Sequence, residues 1–108
     1  MAQTVTQVQP STILQMATGR ILDTGTVAAF PIVLGFKARR VEVLNNTSGD
    51  SEVWVEGMAA ASAMKRVAAG TNALITSNGI TVTDYGFTIG LDTDINVTSE
   101  QLTWVAIG

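Results

Sequence analysis

Asp92, Asp94 and Asn96, in the run DTDIN, are the residues whose types and spacing come nearest to a chemical device. Oxygen donors at alternate loop positions are how hard cations such as Ca2+ are held. A calcium loop of the EF-hand kind, counted from Asp92, needs a glycine at its sixth position and a bidentate glutamate at its twelfth. Those positions carry Val97 and Thr103. The run therefore reads as a polar turn whose Asp and Asn side chains bond their own backbone, and no metal is expected there. Glycoside cleavage would need two carboxyls facing each other across a cleft. Glu52 with Glu56 and Asp84 with Asp92 are the available pairs, but no acid–base partner set accompanies them, and they read as solvated surface.

The rest of the inventory is equally sparse. The chain has no histidine and no cysteine, which removes the usual general base, the thiolate nucleophile, disulfides and the commonest metal ligands together. The glycines of GFTIG (Gly86 to Gly90) are followed by no lysine and open no helix, so they form no phosphate loop. Asn45, Asn46 and Asn96 stand in N-x-[ST] sequons, which matter only in a glycosylating secretory route. Trp54, Met58 and Trp104 could build an aromatic platform for a sugar. Without surrounding amide and acid side chains they read instead as core or interface anchors. The expectation is a protein with no catalytic residue, no cofactor and no bound metal.

Composition sets the class. At 108 residues the chain is one domain, long enough to hold a core without staples. Charged residues make up 14% against about 25% in an average soluble domain, and hydrophobic residues make up 46%. Some of that apolar surface is expected to meet other subunits or partners. A formal net charge of -3, with the basic pairs Arg39-Arg40 and Lys65-Arg66 isolated, leaves no footprint for nucleic acid. The longest apolar run, Val27 to Phe36, is broken by Pro31 and Gly35 and is shorter than the roughly 20 residues a membrane helix needs. The polar start, MAQTVTQVQPST, lacks the charge and apolar stretch of a secretory signal, so a cytosolically made, soluble product is expected.

The elements that must position these side chains are strands. Residues 1–18 are expected to form a lead-in arm, polar over Met1 to Thr12, with residues 19–108 as a single β-sandwich domain. Ile13, Leu14 and Met16 could start a helix that Gly19 stops, an extended segment around Gly19 to Leu22 fits equally well, and Asp23-Thr24-Gly25 is a turn. Pro31 suits an edge strand, because it cannot donate to a ladder. RRVEVL (Arg39 to Leu44) alternates and pairs through the loop Asn45–Asp50 with SEVWVEGM. In that second strand Val53 and Val55 are expected on one face, with Glu52, Trp54 and Glu56 on a half-exposed other face that a further strand or subunit covers. AAASAMKRVAA (Ala59 to Ala69) favours helix by propensity, but its bounding glycines and alternation favour an extended segment. Asn78-Gly79 predicts a tight hairpin between strands at Ala73 to Thr76 and Ile80 to Thr83, with further strands at Gly86 to Ile89 and Gln101 to Ile107. The expected core is Val41, Val43, Val53, Val55, Phe87, Ile89, Leu102, Trp104 and Ala106. Short strands at this spacing indicate an all-β antiparallel sandwich or barrel.

The order of elements resembles a module of tailed-bacteriophage virion structural proteins. The matching residues are Gly35-Phe36 with Val41, Val43 and Asn45; Trp54 with Gly57 and Met58; and Asn78-Gly79-Ile80. They continue through Gly86-Phe87-Thr88-Ile89-Gly90 with Asp94 and Asn96, and end on Trp104 with Ala106. The match spans Gly19 to Gly108. Such modules are similar to jelly-roll or lectin-like sandwiches in capsid decoration proteins, head fibres and tail fibres. A single copy without a repetitive stalk departs from the fibre case. The resemblance thus implies a virion protein of the capsid-decoration (cement) kind on the capsid exterior. It would act as a homo-oligomer, with a trimer expected, and bind the phage major capsid protein or other virion proteins. The alternative is a carbohydrate- or host-recognition module of a tail fibre or baseplate. Neither nucleic acid nor a membrane is implied as a partner.

Overall fold

In the computed structural model, residues 15–22, 25 and 27–108 are described. The polar run Met1 to Thr12 lies outside them, as do Asp23 and Thr24 of the expected turn. The strands are β1 (Met16–Leu22), β2 (Phe30–Val33), β3 (Arg40–Asn45) and β4 (Ser51–Val55), followed by β5 (Ser62–Arg66), β6 (Asn72–Thr83), β7 (Gly86–Ile89) and β8 (Gln101–Ile107). There is no helix among the described residues. β1 begins at Met16, so residues 16–18 belong to a strand and not to a lead-in.

All eight strands join one antiparallel sheet in the order β1-β8-β3-β4-β5-β6-β7-β2. β3 to β7 run as a meander in which each strand pairs with the next, the cheapest connectivity for an antiparallel sheet. β8 then returns to the far flank of β3. The sheet curls in the manner of a sandwich: Phe87 of β7 meets Trp104 of β8 edge to face, with ring centroids 5.4 Å apart at 74°, although four strands separate them in the sheet. Around this contact lie Val41, Val43, Trp54, Ile80, Ile89, Ile95, Leu102 and Ala106, all buried. β2, with Pro31, is a sheet edge, where a missing backbone donor costs no ladder bond.

Two local expectations are corrected by register. In β4 the inward residues are Glu52 and Trp54, while Val53 is half-buried and Val55 exposed on the outer face. Val41 pairs with Trp54 and Val43 with Glu52, and directly opposed residues of an antiparallel pair share a face. Once Val41 and Val43 enter the core, Trp54 and Glu52 must follow. Trp54 is therefore covered by its own chain.

The second correction concerns Asn78-Gly79. β6 runs unbroken through them, and the pairing with β5 jumps from Ala63↔Ile75 to Ser62↔Ile80. Asn78 adopts φ 60°, but Gly79 is not among the residues with positive φ. A type I′ hairpin needs both central residues left-handed; with one, the strand bulges and continues. Gly79 is required for a different reason. A Cβ there would lie 2.7 Å from the Ser62 carbonyl carbon and oxygen.

Candidate functional site

The segment joining β7 to β8, residues 90–100, holds every group singled out in the DTDIN run. It has to travel from one flank of the curled sheet to the other, and it covers the interior with Ile95, which is fully buried. Backbone bonds fasten its start to the β6 bulge: Gly90 N donates to the Gly79 carbonyl at 2.9 Å, and Asp92 N to the Asn78 carbonyl at 3.2 Å. The turn itself is local. Asp94 N donates to Asp92 Oδ1 at 2.9 Å, and Asn96 N to the Asp92 carbonyl at 2.9 Å.

The oxygens that suggested a cation are occupied by a side chain. The Lys65 ammonium lies 3.0 Å from Asp92 Oδ1 and 2.5 Å from Asp94 Oδ2, with only 14% of its side chain exposed. Its hydrogen bond to Asp94, followed by its contacts with Asp92, outweighs burial and raises the Lys65 pKa above its ordinary value. Asn96 is not part of this cluster: its buried Nδ2 donates to the carbonyls of Ala28 and Gly90, each at 2.9 Å. Among the described residues no group of three or more carboxylate, imidazole or thiolate side chains is arranged to hold a metal ion.

Asn45 is the residue whose role the sequence concealed. It is fully buried at the end of β3. Its Nδ2 donates to the Ile95 carbonyl and to Glu100 Oε1, both at 3.0 Å, and its Oδ1 accepts from the amides of Thr47 and Ser48 at 2.9 and 3.0 Å. One side chain thus caps the β3–β4 loop and pins the covering segment. Asn45 and Asn96 are unavailable as sequons in the folded chain, whereas Asn46 is exposed and donates to Thr103.

Beneath the covering segment sits Glu52, 1% exposed, with neither carboxyl oxygen hydrogen-bonded among the described residues. Burial raises its pKa from 4.5 to about 8; the Asp92 carboxylate adds to the rise and Lys65 opposes it. It is thus largely protonated at neutral pH, which explains how a carboxyl survives inside an apolar cluster.

The Glu52–Glu56 and Asp84–Asp92 pairs do not form, and Glu52 is not the solvated surface residue that the sequence suggests. Glu52 is interior and Glu56 exposed, while Asp84 and Asp92 lie at opposite ends of β7. Trp54 and Trp104 are 7% and 9% exposed, Trp54 Nε1 donates to the Ala59 carbonyl, and Met58 is half-buried with its sulfur accepting from the Val55 amide. They anchor the interior and offer no platform. What the surface does offer is apolar: register lays Val53, Met64 and Leu74 side by side across β4, β5 and β6. Val55, Met64 and Leu74 are 37%, 47% and 60% exposed. No family model, no curated protein and no solved structure matches this chain.

Proposed function

We propose that this chain is a structural assembly module, a virion protein of the capsid-decoration kind that acts as a homo-oligomer. The observation that carries the reading is the apolar row Val53–Met64–Leu74 on the outer sheet face. It belongs to a β fold whose buried polar groups are mostly spent on internal bonds. Val53 is half-buried and Met64 and Leu74 are exposed, and adjoining apolar side chains at a surface are the mark of one that meets another protein. The order of motifs from Gly35-Phe36 to Trp104 and Ala106 supports the virion assignment by resemblance. In physical terms a stiff sheet bridges neighbouring coat subunits, and it stabilises the shell by binding the assembled lattice and not its dissociated parts.

The test combines light-scattering mass measurement with co-sedimentation on mature capsids lacking the protein. The expected result is a trimer that sediments with capsids, and a doubly substituted Met64→Glu, Leu74→Glu chain that stays folded but associates more weakly. A strict monomer that ignores capsids overturns the proposal. Saturable, specific binding on a glycan array would transfer the chain to the carbohydrate-recognition class.

A further inference from the structure

Glu52 is an unpartnered carboxyl in the core, and its cross-strand partner on the same inward face is Lys65. Directly opposed residues place their Cβ atoms about 5 Å apart. Lys65 is meanwhile committed to the covering turn, through Asp92 and Asp94. We propose that Glu52 and Lys65 form a proton-operated latch on the Asp92–Asp94 turn. With Glu52 protonated, Lys65 clasps the turn; when Glu52 ionises, it draws the ammonium inward and frees the turn.

Among the described residues, the surroundings leave an ionised Glu52 no other cation. On β3 the residue opposite is Val43, and Arg40 and Glu42 point to the outer face, where they pair with each other. On β5, Arg66 pairs with Ser51 on the outer face. β6 carries no charged residue. Asp50, in the β3–β4 loop, accepts from the Ala68 amide, and Glu100 accepts from Asn45. From the covering segment, besides Glu100, come only the carboxylates of Asp92 and Asp94. An ionised carboxyl in this interior is costly unless paired, and among the described residues Lys65 is the group positioned to pair it. The covering segment does not detach as a whole, because Ile95 is held by Asn45, Asn96 by the Ala28 carbonyl and the Gly90 amide by the Gly79 carbonyl, independently of Lys65. Release is confined to the turn. The raised pKa of Glu52, about 8, sets where the latch operates.

The test is a pH titration of the isotopically labelled full chain by NMR, from about pH 6 to about pH 10. In the native chain the Asp94 backbone amide, which donates to Asp92, is expected to shift with a midpoint near the Glu52 transition, while the Asn96 side-chain amide stays in place. In Glu52→Gln the Asp94 transition disappears. A transition that persists in Glu52→Gln, or a flat Asp94 signal in the native chain, overturns the latch. Lys65→Met gives a second reading should Glu52→Gln fail to fold. With the ammonium gone, the carboxyl carbon of Glu52 is expected to titrate at higher pH, with the turn open throughout. A Glu52 titration that is unmoved or lowered in Lys65→Met also overturns it.

Discussion

Replacing Glu52 with glutamine isolates one buried proton. The unfolded carboxyl titrates near 4.5 and the folded one at about 8. Between those limits the unfolded chain releases the proton and the folded chain keeps it, so each pH unit withdraws about 1.4 kcal/mol of stability. The sign follows from the raised folded pKa: the contribution is complete below about pH 4.5, falls as pH climbs, and levels off above about pH 8. The total is about 5 kcal/mol, a large part of the 5–15 kcal/mol that holds a typical domain together. Glutamine keeps the shape and cannot ionise. Urea unfolding across this pH range, run on both chains, gives the difference in stability directly and cancels the other acids. The two chains are expected to differ little near pH 4, with Glu52→Gln ahead by several kcal/mol near pH 8. A difference that does not change with pH would refute both the burial of an unpaired acid and the register that puts Glu52 inside.

Three further substitutions test the architecture. Asn45→Ala removes four hydrogen bonds, two within the β3–β4 loop and two to Ile95 and Glu100; at about 1 kcal/mol each, with buried partners orphaned, the loss is about 4 kcal/mol in chemical unfolding. Gly19→Ala drives a Cβ to 2.5 Å from the Trp104 ring, so the indole or β1 must shift, and a fall of roughly 1–3 kcal/mol is expected by thermal unfolding. Ala61 holds φ 63°, a left-handed conformation that costs a side-chain-bearing residue about 1–2 kcal/mol. Ala61→Gly relieves that at the cost of a floppier unfolded chain and is expected to raise stability by up to about 1 kcal/mol.

Strand identity was largely legible because alternation and turn residues act locally. RRVEVL and its partner, the edge position of Pro31, and the bounds of β7 and β8 all follow from that information, and of the segment Ala59 to Ala69, expected to be extended, Ser62–Arg66 is strand while turns flank it. Facing was less legible. Val53 and Val55 are the better core residues by hydrophobicity, yet pairing with β3 turns them outward and takes Glu52 in. Asn78-Gly79 carries the strongest local hairpin signal in the chain, but the backbone approaching from Ser62 and the bonds from Gly90 and Asp92 hold it as a bulge. For the candidate site, the DTDIN run was recognisable as a self-bonded turn, while its cation could not be named, since Lys65 lies 27 residues away from Asp92.

Composition and pattern alone determined an all-β, antiparallel chain without histidine or cysteine, because these properties depend on residue type and on neighbours in sequence. Tertiary structure decided which face of each strand is inside, that Asn45 and not a turn motif secures the covering segment, and that a carboxyl lies unpaired beside Lys65. The physical reason is that a strand's two faces differ only by what lies across the sheet, and what lies across is set by register between distant segments.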